Sequence, residues 1–144
     1  MIIYQVEPKH IDLIWPDVQE LLSKPLEKSL GENTIDDIKN WIKSKIYQLW
    51  VILDKENSKI IGACATQIIH YSRKNHLRME LAATNNNTMD LWIDDWYKAT
   101  EDFCKKQNIS YVEIVAQRDG WIRLLKDRGY KKYYTVLVKD MKDD

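Results

Sequence analysis

The sequence predicts one α/β (α+β) domain over residues 1–144, with a mixed, mostly antiparallel sheet and helices on both faces. The chain has 144 residues, of which 44% are hydrophobic, so it can bury a core without disulfides or metal. The spacing of apolar residues changes repeatedly between helical and strand periods. The resulting order is β–α–α–β–β–β–α–β–α–β. The helix between the fourth and fifth strands of this order indicates a crossover that makes those two strands parallel.

The first third of the chain is predicted to form one strand and two helices. Ile2–Val6 has a weak strand alternation, and His10–Ser29 carries apolar residues at a helical period. Thr34 is followed by two acidic residues, which is typical of a helix N-cap. The second helix is therefore expected to begin after Thr34 and to run to about Lys45.

Three strands joined by short turns are predicted next, as an antiparallel meander. They are Gln48–Leu53, Lys59–His70 and His76–Ala83. The third strand alternates between two sets of side chains, which we expect on opposite faces of the sheet. The apolar set is Leu77, Met79 and Leu81, and the polar set is Arg78 and Glu80.

The remainder alternates between helices and strands. Its predicted elements are a helix Met89–Gln107 capped by Thr88, a strand Tyr111–Ala116, a short helix Trp121–Arg128 ended by Gly129, and a last strand Tyr133–Lys139. A helix joins Tyr111–Ala116 to His76–Ala83, so these two strands should be parallel neighbours. Two parallel strands followed by a helix are a common place for a ligand cleft.

Charge and cysteine content argue against several classes of function. The chain has 22 basic and 22 acidic residues without a block of like charge, which disfavours nucleic acid or a membrane surface as partner. Cys64 and Cys104 lack CxxC spacing, and three histidines cannot complete a zinc pattern, so no metal site is expected. No apolar run approaches a membrane span. We expect a cytoplasmic protein, found in the host cytoplasm or the virion if it is viral.

One segment of the second half resembles a known family. Residues 113–130 read EIVAQRDGWIRLLKDRGY, which is similar to a signature in a phage-associated branch of the GNAT N-acetyltransferase superfamily. Residues 11–16 and 48–50 also resemble that branch, and the element order resembles GNAT proteins over nearly the whole chain. The resemblance implies the GNAT acyl-CoA N-acyltransferase fold, acetyl-CoA as cosubstrate and an amine as acceptor.

The resemblance implies a loop after the fourth strand that holds the pyrophosphate of coenzyme A through backbone N–H groups and a helix N-terminus. The matching positions run from Ala83 to Met89 and include Asn85, Asn86, Asn87 and Thr88. The backbone of Leu81, Ala82 and Ala83, just before them, would polarise the thioester carbonyl of the cofactor. Asparagines stand where the family has glycines, and asparagine tolerates left-handed backbone better than other non-glycine residues. An anion-binding loop and a plain capped turn are both open readings.

Two arginines flank the Gly120-Trp121 turn. Arg118 and Arg123 could bind a phosphate of coenzyme A, because a guanidinium forks onto phosphate oxygens. The alternative is an ion pair with Asp119 or Asp127 on the surface.

Glu80 and Glu113 are the candidate general bases, because the family often places a glutamate on the fourth or fifth strand. Each could equally be a solvated residue or an ion-pair partner. If both lie on one face, two close carboxylates would raise the pKa of one of them. The family also implies a tyrosine acid four residues before Gly129, where this chain has Leu125; Tyr130, Tyr133 and Tyr134 are possible substitutes.

Two functions follow from the sequence. The first is an acetyl-CoA-dependent N-acetyltransferase that acts on an unidentified amine. The second is a catalytically inactive GNAT-fold phage protein with a structural or protein-interaction role. The absent glycines, Leu125 and the load of six tryptophans and eight tyrosines favour the second, because exposed Trp and Tyr are typical of interfaces. That role would build an oligomer or a virion contact on exposed tryptophans. The usual role of such aromatic side chains is instead to fill the core.

Overall fold

The computed structural model describes residues 1–85, 88–116 and 119–142. Its elements are β1 Ile2–Val6, α1 Ile11–Glu27, α2 Ile35–Lys43, β2 Tyr47–Leu53, β3 Ile60–His70, β4 Asn75–Thr84, α3 Met89–Lys106, β5 Ile109–Ile114 and α4 Asp119–Lys126. A single 3-10 turn, Pro8–His10, leads into α1. The helices and the first five predicted strands are thus present, with ends displaced by a few residues.

The five strands form one sheet in the order β1-β2-β3-β4-β5. The pairs β1–β2, β2–β3 and β3–β4 are antiparallel, and β5 is parallel to β4. The predicted meander and the predicted parallel crossover through α3 are both confirmed.

Helices cover both faces of the sheet, as predicted. The face that packs on α1 and α2 is here named the α1 face, and the other, which packs on α3 and α4, the α3 face. Buried residues of the α1 face include Val18, Leu22, Ile38, Leu49 and Val51. Those of the α3 face include Leu77, Met79, Trp92, Trp96 and Leu125.

The start of α2 shows why the local sequence folds as it does. The Thr34 hydroxyl accepts a hydrogen bond from the Asp37 backbone N–H at 3.1 Å, and the Asp37 carboxylate accepts one from the Thr34 N–H at 2.8 Å. This reciprocal pair satisfies two N–H groups that the first turn of a helix leaves free. The predicted cap at Thr34 is confirmed.

β4 contains a bulge at Glu80, which the alternation of the sequence did not reveal. On β3, Ala65 pairs with Leu81 and Thr66 pairs with Met79, so Glu80 is an extra residue between them. An extra residue reverses the faces of everything after it. Leu81 therefore packs against the α1-face core while Leu77 and Met79 lie in the α3-face core, and the prediction that all three share a face is wrong.

The predicted last strand, Tyr133–Lys139, is absent. Residues 131–140 are irregular and exposed, and their backbone forms no ladder with any strand of the described chain. A strand needs a paired neighbour as well as a suitable sequence. Gly129 nevertheless adopts a φ of 87°, as expected for the residue that ends α4.

The tryptophans mostly fill the core, which is their usual role, and the exposed tryptophans expected for the non-catalytic alternative are not found. Trp15, Trp50, Trp92 and Trp96 are buried, and the remaining two, Trp41 and Trp121, are half-buried. The large exposed aromatic side chains of the described ranges are tyrosines: Tyr4, Tyr71, Tyr97, Tyr111, Tyr133 and Tyr134. Among the helices described, none is both long enough and apolar enough to cross a membrane.

Candidate functional site

β4 and β5 separate at their carboxyl ends. Their pairing begins at Asn75 and Ile109 and ends at Met79 and Ile114, but β4 continues to Thr84. Residues 80–84 therefore have β3 on one side and no strand of the described chain on the other. This creates an opening at the carboxyl ends of two parallel strands, where α/β sheets commonly bind ligands.

The bulge at Glu80 lies where the opening begins. A bulge leaves its extra residue out of the ladder, so the backbone of Glu80 is not paired with β3 in the regular way. Beyond it, Leu81 and Ala83 pack toward the α1-face core and Ala82 toward the α3-face core. Three of the predicted cofactor-binding residues, Leu81, Ala82 and Ala83, thus form the β4 edge of the opening.

A group of polar side chains lies next to this opening on the α1 face of β4 and β5. We name it the β4–β5 polar cluster, and its members are Gln67, Tyr71, His76, Arg78, Glu80 and Glu113. The two predicted catalytic residues, Glu80 and Glu113, are both in it. Both lie next to Arg78, so the two carboxylates share a face across the adjacent strands β4 and β5.

Glu113 is held by three neighbours. Arg78 Nε donates to Glu113 Oε2 at 2.8 Å, His76 Nδ1 contacts Oε1, and the Tyr71 hydroxyl donates to Oε1 at 3.4 Å. Burial acts to raise the pKa of Glu113, but the hydrogen bonds and charges of Arg78 and His76 outweigh it and lower the pKa below the ordinary value. Glu113 is therefore not a carboxylate whose pKa is raised by its neighbour, because Arg78 contacts both carboxylates and offsets their repulsion.

Glu80 is held less strongly. Gln67 Nε2 donates to Glu80 Oε1 at 2.6 Å, and Arg78 Nη1 lies 3.7 Å from the same oxygen. The Glu80 side chain is 21% exposed, so solvent-side ligands can reach it. Of the two carboxylates, Glu80 has the weaker contact with a cation and lies at the bulge.

Aromatic rings support the outer end of the cluster. The His76 ring contacts Tyr71 at 4.7 Å and Tyr111 at 5.0 Å between centroids, in both cases edge to face. Lys74 Nζ lies 5.0 Å from the Tyr111 ring centroid. These contacts hold the His76 imidazole in place against Glu113.

The turn between β4 and α3 differs from the expectation. The Thr88 hydroxyl makes no capping hydrogen bond; it donates to the Asn85 carbonyl at 3.1 Å, and the Thr88 N–H donates to the Thr84 hydroxyl at 3.2 Å. The predicted cap at Thr88 is therefore wrong, because its backbone, with φ −96° and ψ 17°, lies outside the extended conformation that turns a cap hydroxyl toward the helix N–H groups. Thr88 thus leaves the first N–H groups of α3 without a hydrogen bond from its own side chain.

Of the three asparagines of this turn, Asn85 is the one that the structure describes. The non-glycine residues with positive φ in the described ranges are Lys45, Ser58 and Asn108, so Asn85 does not take the left-handed conformation. Asn86 and Asn87 lie outside the described residues, as does Arg118. The idea of a left-handed asparagine loop stays a prediction for Asn86 and Asn87.

α4 presents Arg123 to solvent. In the described chain it forms no ion pair with Asp119 or Asp127, so the surface ion-pair alternative is not realised there. Leu125, at the position of the family's acid, is buried in the α3-face core. Arg123 remains a predicted ligand of a phosphate.

The three tyrosines considered as acids differ sharply. The Tyr130 hydroxyl is buried without a hydrogen-bond partner among the described residues, and burial, with smaller effects from Tyr97, Asp94 and Cys104, raises its pKa to about 12. Tyr133 and Tyr134 are exposed. None of the three shows a contact that would assign it to acid catalysis.

Sequence reasoning missed several members of the site. His76 continues the alternation of Arg78 and Glu80 on β4, so that signal was available. Gln67 and Tyr47 face each other across β3 and β2, and only the sheet register brings them to Glu80. Burial and the negative charge of Glu80 raise the pKa of Tyr47 to about 12, with a smaller opposing effect from Arg78.

Comparison with known proteins places this geometry in a fold class. No protein-family model matches the chain, and no curated protein matches it in sequence. The fold is similar to an aminoglycoside acetyltransferase from an uncultured soil metagenomic sample (TM-score 0.70, 14% identity, 98% of this chain and 96% of that one). It is also similar to glucosamine-6-phosphate N-acetyltransferase from Arabidopsis thaliana (TM-score 0.66, 15% identity, 98% of each chain).

A GNAT family acetyltransferase from Staphylococcus aureus is a further similar structure, with a TM-score of 0.61, 14% identity, and coverage of 97% of this chain and 98% of that one. All three likenesses span nearly the full length of both proteins. The chain has the GNAT acetyltransferase fold, and the predicted fold class is confirmed.

Proposed function

We propose that this protein is an acetyl-CoA-dependent N-acetyltransferase that acetylates an amine. The separation of β4 from β5 after Met79 and Ile114, with a bulge at the mouth of the opening, carries the proposal. Backbone N–H groups beside such an opening can polarise a thioester carbonyl, since they supply fixed donors where negative charge develops. Acetyl-CoA supplies the activated acyl group as that thioester.

In this proposal, residues around the opening bind the pantetheine arm and the pyrophosphate of acetyl-CoA. The backbone of Leu81–Ala83 would hold the extended pantetheine arm, and the uncapped start of α3 after Thr88 would face the pyrophosphate. Asp90 in the first turn of α3 opposes an anion. We therefore expect binding of the pyrophosphate to require backbone N–H groups together with the positive charge of Arg118 or Arg123.

Glu80 is the better candidate for the base. It lies at the mouth of the opening, and its closest partner is the neutral amide of Gln67. Glu113 instead forms a close ion pair with Arg78, which stabilises its charged form and weakens it as a proton acceptor. In this proposal Glu80 takes a proton from the attacking ammonium, and Glu113 positions Arg78 and His76.

Binding and turnover test the proposal separately. Titration calorimetry and thermal unfolding with acetyl-CoA and with coenzyme A should show binding and a raised midpoint, since a ligand of the native state stabilises it. Release of free thiol should then be followed over a panel of small amines and lysine peptides. Absence of both heat and midpoint shift at millimolar acetyl-CoA would contradict the cofactor assignment.

Two isosteric variants of the polar cluster separate the roles of the carboxylates. Glu80→Gln should reduce kcat by about 10²- to 10⁴-fold with unchanged acetyl-CoA affinity, because a positioned base contributes that much. Glu113→Gln, the matched control, should retain kcat within about tenfold of wild type. Equal kcat for Glu80→Gln and wild type would remove Glu80 from catalysis.

The alternative is a GNAT-fold protein without catalysis that serves in protein interaction, in a phage particle or elsewhere. Its support is the burial of Leu125 at the acid position and the exposed apolar chain after Tyr130. The binding experiment discriminates the two, because this alternative predicts no acetyl-CoA binding.

A further inference from the structure

A cavity of about 550 Å³ lies beside the turn between β3 and β4, and we name it the β3–β4 cavity. Its lining residues are Tyr71, Ser72, Arg73, Lys74, His76 and Tyr134. It lies at the start of β4, whereas the opening begins at Glu80, about 13 Å further along the strand at about 3.3 Å per residue. The β3–β4 cavity is therefore separate from the backbone of Leu81–Ala83 that acetyl-CoA would use in the proposed function.

The β3–β4 cavity carries positive charge that the rest of the described chain leaves unmatched. Arg73 and Lys74 are exposed, and neither forms an ion pair within residues 1–85, 88–116 and 119–142. No acidic residue is among those that line the cavity in the described chain. The nearby carboxylate of Glu113 is already held by Arg78 and His76. Two unmatched cations in one concavity attract an anion.

Two of the lining groups are held in place before any ligand arrives. Lys74 Nζ donates to the Tyr111 hydroxyl at 3.4 Å and lies 5.0 Å from the centroid of its ring. A tyrosine is neutral, so these contacts orient the ammonium without cancelling its charge. His76 Nδ1 contacts Glu113, which leaves Nε2 as the ring nitrogen available to a ligand. Such preorganisation lowers the entropy cost of binding.

The volume and the walls of the cavity favour an organic ligand over a bare ion. Sites for small molecules commonly occupy about 300–1,000 Å³ and combine aromatic walls with a few polar groups. Tyr71 and Tyr134 both line the cavity with exposed side chains, so their rings can cover a ring or another apolar part of a ligand.

We propose that the β3–β4 cavity binds a small organic molecule through its phosphate monoester group, with Arg73 and Lys74 as the cations and Tyr71 and Tyr134 against the organic part. A phosphate monoester carries about 1.5 to 2 negative charges at pH 7, which matches two permanent cations better than a carboxylate does. The Arg73 guanidinium can fork onto two phosphate oxygens, and Lys74 adds a point charge.

Hydrogen bonds connect this cavity to the candidate carboxylates. The Tyr71 hydroxyl donates to Glu113 Oε1 at 3.4 Å and accepts from Arg78 Nη2 at 3.5 Å. Arg78 in turn lies 3.7 Å from Glu80. The phosphate group has two conceivable sources, the acceptor amine itself and a separate molecule. An acceptor with its amine at Glu80 and its phosphate in the cavity would span about 13 Å.

Titration calorimetry of the full chain with phenyl phosphate tests the site in the absence of acetyl-CoA. Wild type should bind with a Kd of about 1 mM or tighter. Arg73→Gln and Lys74→Gln, on an exposed turn, should each raise that Kd about tenfold through loss of a charged hydrogen bond. Lys98→Gln removes one charge from an exposed position on α3 and, as the matched control, should bind like wild type. No heat at about 10 mM ligand, or one Kd for all four chains, overturns the inference.

A variant of the wall tests the organic part of the ligand. Tyr134→Ala should raise the Kd of phenyl phosphate about three- to tenfold, because the contact between rings is lost. The same variant should leave the Kd of inorganic phosphate unchanged, since that ion has no ring to cover. An equal change for both ligands, or no change for either, contradicts the assignment of Tyr134 and with it the proposed class of ligand.

Turnover with acetyl-CoA distinguishes the two sources of the phosphate, and this arm alone rests on the proposed function. If the acceptor carries the phosphate, Arg73→Gln should raise KM for ω-aminoalkyl phosphates several-fold and leave KM for the matching uncharged amines unchanged. If a separate molecule carries it, phenyl phosphate should alter turnover of the uncharged amines in wild type but not in Arg73→Gln. Absence of acetyl transfer to every amine, with phenyl phosphate binding that follows the variants as expected, would refute the proposed function and support this site.

Discussion

At the scale of single residues, Arg78 determines how the two candidate carboxylates differ. It donates to Glu113 at 2.8 Å and lies 3.7 Å from Glu80. An arginine keeps its charge at any pH that a protein survives, so it stabilises the nearer carboxylate in its ionised form. Sequence alternation predicted Arg78 and Glu80 on one face, but only the parallel register of β5 shows that Arg78 also pairs with Glu113.

The lowered pKa of Glu113 gives a pH-dependent prediction. Its pKa lies below the ordinary 4.5 in the folded state, so the unfolded chain binds more protons near that pH and stability increases with pH there. Glu113→Gln should lower the unfolding free energy by about 1 kcal/mol at pH 7. This loss should shrink as pH falls below the ordinary value of 4.5 and disappear once pH has passed through the lower pKa of the folded state, where protonation removes the ion pair from wild type too.

Urea unfolding of wild type and Glu113→Gln from pH 3 to pH 7 measures that difference. Glu101→Gln, an exposed glutamate on α3, is the control and should change stability little at any pH. A Glu113→Gln effect that is constant across this range would contradict the ion pair as its cause.

A buried hydroxyl gives a second prediction at this scale. Trp50 Nε1 donates to Thr66 Oγ1 at 3.0 Å, and the Thr66 hydroxyl donates to Gln48 Oε1 at 2.9 Å. Thr66→Val keeps the shape but leaves the indole N–H and the amide oxygen unpaired, so it should destabilise the fold by about 1–3 kcal/mol. Chemical denaturation measures this.

The matched control is Thr100→Val, also at a buried threonine. The Thr100 hydroxyl donates to the Tyr97 carbonyl within α3, and its removal strands no indole donor. We expect a smaller effect, below about 1 kcal/mol. If both variants lost the same unfolding free energy, the hydrogen bonds from Trp50 to Thr66 and from Thr66 to Gln48 would contribute no more to stability than a hydroxyl bonded within a helix.

At the scale of elements, the sequence predicted nearly every helix and strand, but neither the bulge nor the fate of the last segment. Periodicity is a local signal, and the bulge at Glu80 exists only in the pairing of β4 with β3. Leu81 consequently lies on the opposite face from the one its alternation indicated. Tyr133–Lys139 has a strand sequence, yet a strand also needs a partner edge, which no local pattern specifies.

The contact of β3 with the end of β4 gives a prediction that links packing to the site. A Cβ at Gly62 would lie 3.1 Å from Ile52 Cδ1, 3.1 Å from Thr84 Cγ2 and 3.3 Å from the Ala83 carbonyl oxygen. Gly62→Ala should cost about 1–3 kcal/mol through this overpacking. Because Thr84 begins the turn into α3, the same variant should weaken acetyl-CoA binding several-fold, an amount on the order of 1 kcal/mol.

Gly120→Ala is the matched control, since a Cβ there meets nothing within 4 Å. It should leave stability unchanged or raise it by up to about 1 kcal/mol, because alanine restricts the unfolded chain. Thermal unfolding with and without acetyl-CoA reports both quantities. If Gly62→Ala bound acetyl-CoA as tightly as wild type, the turn that follows Thr84 would not contribute to binding of the cofactor.

At the scale of the whole molecule, the two edges of the sheet are unequal. β1 forms one edge, and its Val6 reaches into the α1-face core. β5 forms the other, where the sheet is parallel and the residues toward solvent are only partly buried. The β4–β5 polar cluster lies on these last two strands, so the candidate site stands at the less covered edge of the sheet.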